Sequence, residues 1–487
     1  MKTLVASKAP SVLESIGASI GTSIVTSVLV AAVGLVSAAP ASSQNFQEFI
    51  AVDAPVVALT NVKVIDGTGA PAVTNQTIII RGERIVEVGP SRSVDVPPNA
   101  QVLDLTGHTV IPGLIGLHDH SYYTGGGRAA QLSFSGSRLY LASGVTTIRT
   151  TGARYPYEEI NLAREIEAGR TIGPTMFTTG PYLTGEQGPR NMTRLQGPEH
   201  ARRVVRYWAE EGVSWFKAYT WISRAELGAA IDEAHRHGVK VTAHLCSVGY
   251  REAVALGIDN LEHGLFANSE YAPGKRPDEC PSGFRNSYAD LDVNGPEVQA
   301  TFRDMIDAGV AMTSTLVVYE MSVSERPPID ERVFEVLAPE IAEVVRAESI
   351  RRREGQGGMD PELFSKAMEY ERAFVDAGGL LGAGVDPTGY GAAPPGLGDQ
   401  RNYELLLEAG FSAPEVVQIM SANGAKVLGI DNDVGTVESG KLADLVVIEG
   451  DLEADQNLHG TKIVFRHGTG WDSAKLFDSI RGIVGIR

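Results

Sequence analysis

A chain of 487 residues, 43% apolar and 21% charged, has an ordinary globular composition and is too long for one small core. A large barrel plus a smaller domain fits that length. The formal charge of −18 argues against nucleic acid and anionic membrane surfaces as partners, since both would be repelled.

The chain starts like an export signal. Lys2 and Lys8 supply a positive start, Ile16 to Ala39 carries no charge, and Ala39-Pro40-Ala41 offers an A-x-A-like cleavage site. Residues 1–41 are therefore expected to be a signal peptide. The mature protein would be periplasmic or secreted, with no membrane association after cleavage. The same run is long enough to serve instead as an uncleaved anchor.

Residues 57–110 consist of short β-branched runs such as Val62-Lys63-Val64-Ile65 and Thr77-Ile78-Ile79-Ile80, punctuated by Asp66-Gly67 and Pro97-Pro98-Asn99. The same texture returns in Asp444-Leu445-Val446-Val447-Ile448 and Lys462-Ile463-Val464-Phe465. These stretches predict one small β-sandwich domain built from both chain ends, 52–110 and 431–470, followed by a C-terminal tail over 471–487. Between them, 111–430, strands alternate with helices. Strands are expected at 109–118, 145–148, 175–178, 214–217, 239–244, 260–263, 310–313 and 380–386. Helices are expected between them, for example at 199–211, 224–237 and 296–308. Strands separated by helices pair in parallel with right-handed crossovers, and eight such units close into a barrel. The fold class is thus α/β, a (β/α)8 TIM-type barrel with the small β-sandwich domain. The stretch 320–378, with helical runs at 330–353 and 361–377, exceeds an ordinary crossover. It would either cover the barrel mouth or form a homo-oligomer contact.

Barrel enzymes carry their chemistry at the C-terminal ends of the strands. Those ends hold His118 and His120, Lys217, His244, His263 and Asp386. His118 and His120 are two apart on a strand, so both face the same way. Imidazole and carboxylate ligands suit zinc and related divalent metals. Lys217 in a barrel interior would be a costly buried ammonium. Its neutral form can react with carbon dioxide to give a carbamate that bridges two cations. The alternative is a lysine reaching the rim to pair with a substrate carboxylate. Two metals roughly 3.5–4 Å apart can share a hydroxide and polarise a carbonyl. Asp386 would ligate one metal, take the proton of that metal-bridging hydroxide and pass it to the leaving group. His263 or His244 would help polarise the carbonyl. Cys246 and Cys280 lie near one rim and, in an exported chain, are disulfide candidates; the other reading is two unrelated thiols.

Val110-Ile111-Pro112-Gly113-Leu114-Ile115-Gly116-Leu117-His118-Asp119-His120 resembles the first-strand signature of the amidohydrolase superfamily. Phe216-Lys217-Ala218-Tyr219, Thr242-Ala243-His244, Leu261-Glu262-His263-Gly264 and Gly384-Val385-Asp386-Pro387 resemble its motifs on strands four, five, six and eight. The return through Gly435-Thr436-Val437 to Asp444-Leu445-Val446 is similar as well. The resemblance spans about residues 57–470 and is strongest to the imidazolonepropionase-like and Xaa-Pro dipeptidase-like branch. It implies a binuclear site with His118, His120 and Asp386 on one metal, His244 and His263 on the other, and Lys217 bridging as N6-carboxylysine formed with carbon dioxide. Zinc is the expected metal. Gly144-Val145-Thr146-Thr147-Ile148-Arg149 resembles the branch's second strand, although Thr150 stands where Asp often follows. Branch members hydrolyse dipeptides or N-acyl amino acids, so a small-molecule substrate with a free carboxylate is expected, with Arg149 and Tyr219 as rim residues to bind it. The leading expectation is an exported metal-dependent amidohydrolase that cleaves C–N amide bonds. A cyclic amide or lactone hydrolase, and a non-catalytic scaffold, are the alternatives.

Overall fold

The apolar run that leads to His118 is not one strand. It breaks at Gly113, and its halves serve different sheets. His108–Pro112 pairs with Leu445–Glu449 and with Lys63-Val64, whereas Leu114–Asp119 pairs in parallel with Val145–Thr150. A Cβ at position 113 would lie 2.1 Å from Thr146 Oγ1, so only glycine allows the chain to cross so close to its neighbour. The computed structural model describes residues 46–125, 128–356, 358–388 and 392–485. The expected signal peptide, 1–41, lies outside the described residues.

Nine strands from both chain ends are linked by hydrogen bonds into one mixed sheet. Val57, Leu59 and Ile78 from the first end share a core with Leu445, Val447 and Phe465 from the second. This burial of apolar side chains from both ends holds the termini of the large domain together. The expected tail is not free. Thr469–Asp472 is a strand of that sheet, Ser473–Asp478 is helical, and Val484 exchanges backbone hydrogen bonds with Val336 and Ala338. Ile480 and Val484 are fully buried, so these residues dock for the same hydrophobic reason as the rest of the core.

The eight expected strands of the α/β part are all parallel, in chain order Leu114–Asp119, Val145–Thr150, Thr175–Phe177, Trp215–Tyr219, Lys240–His244, Asn260–Glu262, Ala311–Ser314 and Leu381–Ala383, and two short strands, Leu183–Thr184 and Thr193–Arg194, add to them in parallel beside the fourth. They form two hydrogen-bonded groups joined at both edges. Asp386 N donates to His118 O at 2.7 Å at one seam, and Gly180 N donates to Trp215 O at 2.9 Å at the other. The helices between them begin where the sequence signals a start. Pro156, Pro198 and Pro296 each open one, a position where a missing N–H does no harm. Ser223 and Glu226 form a capping box at another.

In the long insertion, the helical run expected over 330–353 is two helices, Glu331–Val336 and Pro339–Arg353, because Pro339 cannot continue a helix from the preceding turn. Among the described residues no helix is long and apolar enough to cross a membrane.

Candidate functional site

The strand ends converge. His118 and His120 both come from the end of the first parallel strand, and their rings are 5.6 Å apart. The His118 ring lies 4.5 Å from that of His263, which lies 4.3 Å from that of His244. Asp386 Oδ1 is 3.1 Å from His120 Nε2 and 3.7 Å from His118 Nε2, and its Oδ2 is 3.9 Å from His263 Nε2. Ligand atoms of His118, His263 and Asp386 all lie within 4.8 Å of one another. Lys217 is fully buried, and among the described residues neither its Nζ nor His263 Nε2 has a hydrogen-bond partner.

Backbone geometry aims two of these groups. The sixth and eighth strands end earlier than expected, at Glu262 and Ala383. His263 and Asp386 follow in left-handed conformations, with φ of 68° and 54°. Such conformations are costly for non-glycine residues and concentrate at functional sites. Gly384 lets this turn pass the first strand, since a Cβ there would sit 2.3 Å from His118 N.

The electrostatics favour neutral imidazoles and ionised carboxylates. Burial pushes His118 down to about 4 and also lowers His120, His244 and His263, with Lys217 adding to the effect. Burial opposes ionisation of Asp386, but His118 and His120 beside it prevail and hold it below the usual carboxylate range. Burial also pushes Lys217 down to about 8. Neutral imidazole lone pairs, a carboxylate and an amine that readily loses its proton form a donor set that fits a divalent cation. The orphaned Nζ and Nε2 point the same way, because buried polar atoms ordinarily have partners.

Glu262 is the residue that strand-end reasoning passed over, although it stands in the Leu261-Glu262-His263-Gly264 motif. Its Oε2 lies 2.8 Å from His118 Nδ1, and its Oε1 lies 2.5 Å from Arg149 Nη2. His118 Nδ1–H thus donates to Glu262, which turns Nε2 toward the other ligands. Arg149 is accordingly not a rim residue. It is completely buried beneath the site, stacked over the Trp215 ring at 4.4 Å, because Glu262 supplies the counter-charge that lets a guanidinium remain inside. Glu262→Gln, which keeps the shape but strands the Arg149 charge, is expected to destabilise the metal-free protein by about 3–5 kcal/mol. Metal affinity should fall about 10–100-fold. Urea unfolding and metal titration read the two effects separately.

A cavity of about 780 Å³ opens over the cluster, and Tyr219 lines it. Tyr122, Arg154, Tyr182, Arg285 and Tyr319 line it too. Periodicity gave no signal for these residues, because they sit on loops or on elements of only four or five residues. Tyr182 hydroxyl is 2.7 Å from that of Tyr122 and 3.4 Å from His120 Nε2. Tyr319 and Ser322 bring the start of the long insertion into the cavity wall. Cys246 and Cys280 form a disulfide in the same wall, with Cα atoms 4.9 Å apart.

An α/β fold with clustered imidazoles, a carboxylate and a lysine at the C-terminal strand ends is the layout of a hydrolase site. The amidohydrolase family matches residues 109–279 and 372–471, and the chain belongs to that family. It is a hydrolase acting on carbon–nitrogen bonds. Across 82% of its length it is 24% identical to an imidazolonepropionase of Thermoplasma volcanium, of which it covers 90%. Among solved structures it is similar to a Bifidobacterium longum protein assigned as a prolidase, with 26% identity, a TM-score of 0.62, and coverage of 88% of this chain and 99% of that one. A Xaa-Pro dipeptidase with methionine bound in its active site shares the fold at 20% identity and a TM-score of 0.63, covering 86% of this chain and all of that one.

Proposed function

We propose that this hydrolase cleaves the amide bond of a dipeptide or N-acyl amino acid in a binuclear metal site at the mouth of a closed (β/α)8 barrel. The observation that carries the reading is the convergence of four neutral imidazoles, Asp386 and the unpartnered Lys217. His118, His120 and Asp386 would hold one cation, His244 and His263 the other, and Lys217 would join both as its carbon dioxide adduct. Zinc suits this nitrogen and oxygen donor set. When bound, the cations would polarise the scissile carbonyl and lower the pKa of a water to about 7. Asp386, ionised and beside both first-strand imidazoles, accepts the proton of the attacking water and returns it to the leaving nitrogen as the C–N bond breaks. Glu262 holds the His118 tautomer, and Tyr182 and Tyr219 orient the substrate from the wall.

The likeness to the protein assigned as a prolidase supports a linear amide. The likeness to imidazolonepropionase supports the second reading, a cyclic amide or lactone, since the same attack opens either. Export to the periplasm or medium belongs to the proposal, supported by the charge-free run from Ile16 to Ala39 and by the Cys246–Cys280 disulfide, which persists in oxidising compartments. The test is turnover of the zinc-loaded chain on a panel of dipeptides, N-acyl amino acids, cyclic amides and lactones, with bound metal measured in parallel. Linear amides should be cleaved fastest, and only with metal bound. Exclusive opening of cyclic substrates would install the second reading, and failure to bind metal would overturn both.

A further inference from the structure

Two guanidinium groups enter the site cavity without a carboxylate to neutralise them. Several arginines of this acidic chain are tied into ion pairs, among them Arg224 with Glu252 and Asp278, Arg326 with Glu320 and Glu408, and Arg401 with Glu320 and Glu404. Arg154 and Arg285 both line the cavity, and among the described residues neither has a carboxylate oxygen within 4.0 Å. Arg154 stacks over the Tyr122 ring at 4.6 Å. Arg285 is anchored by its Nε, which donates to Phe266 O at 2.7 Å, and this leaves its two Nη groups for the cavity. The Cys246–Cys280 disulfide pins the loop that carries Arg285, so its placement is set before a ligand arrives.

The two cations face each other across the site. Arg154 follows the second parallel strand and Arg285 follows the sixth. In the eight-strand order these loops are four strands apart counted either way. Their electrostatic neighbours differ accordingly: Arg154 acts on His120, and Arg285 on His244 and His263. One arginine would suffice to anchor a terminal carboxylate. A second on the opposite wall is a positive charge without a counter-charge among the described residues, and an arriving anion would supply one with bidentate geometry.

We propose that this site selects amides carrying an anionic group on each side of the scissile bond, such as an acidic dipeptide or an N-acyl amino acid whose acyl arm ends in a carboxylate. The inference rests on the amide-hydrolase reading above for where the bond lies, and on the two arginines for the charge.

Binding and turnover test it separately. In the zinc-loaded full chain, glutarate, a dicarboxylate with no bond to cleave, should bind at least about tenfold more tightly than butyrate by calorimetry. Arg154→Gln and Arg285→Gln should each remove most of that difference, and Arg→Lys at either position should restore part of it. In turnover, N-succinylalanine should exceed both N-acetylalanine and N-succinylalaninamide in kcat/KM by at least about tenfold, with each Arg→Gln variant flattening one of the two comparisons through KM. Equal binding of glutarate and butyrate, or a glutarate preference that survives both substitutions, overturns the inference. Amide hydrolysis without any preference for the doubly anionic substrate sinks this inference and leaves the amide reading standing. Selective glutarate binding with no cleavage of any amide sinks the amide reading and leaves only the preference for doubly anionic ligands standing.

Discussion

Asp386→Asn lowers kcat by about 10²–10⁴-fold while the protein keeps its fold and much of its metal. The carboxylate lies between His118, His120 and His263 and is ionised despite its burial. Asparagine has the same shape, and its amide oxygen still coordinates weakly, but it cannot accept a proton near neutral pH. The loss should therefore appear in kcat and kcat/KM together, as for an interaction made only in the transition state. Steady-state kinetics, metal content after dialysis and a thermal melt give the three readouts. Full activity in Asp386→Asn would show that another group moves the proton.

Lys217→Met removes activity by about 10³-fold or more and, unlike Asp386→Asn, strips metal from the site. The scale is that of deleting one member of a group that acts as a unit. Burial brings the Lys217 amine down to about 8 from 10.5. At pH 7.5 that raises its neutral fraction from about one in a thousand to about one in four, and the neutral amine is the form that captures carbon dioxide. The shift has a consequence for stability. Between about 8 and 10.5 the unfolded chain binds more protons at this residue than the folded one, so stability rises with pH across that window. For the metal-free protein this one group should add about 2 kcal/mol between pH 7.5 and 9.5. Urea unfolding of chelator-treated protein at those two pH values measures it. Lys217→Met should flatten the rise and be the more stable protein at pH 7.5. An unchanged slope in the variant would mean that Lys217 finds a partner in solution.

The metal-type residues were legible in sequence because each stands at or near the end of a β-branched run, and strand periodicity is a local property. The pairing of His118 with His120 on one face follows from a spacing of two. The helix start at Pro296 was legible for the same local reason, and the one at Pro198 was read one residue late. The break at Gly113 was not, because Thr109 to Leu117 reads as one apolar run and only the proximity of Thr146 reveals the crossing. The docking of Ile480 and Val484 was hidden as well, since their partners lie more than a hundred residues away in the insertion and near the first strand.

Arginine shows the division most clearly. The sequence alone determined which residue types stand at the strand ends, and with them the kind of chemistry available, because side-chain identity and short spacings suffice for that. Which guanidinium meets which carboxylate was decided only by the tertiary structure. Glu262, 113 residues further along the chain, captures Arg149 beneath the ligands. Arg154 and Arg285 are left facing the cavity instead. A charge's role depends on the distance and burial of its counter-charge, and neither is encoded in any one stretch of chain.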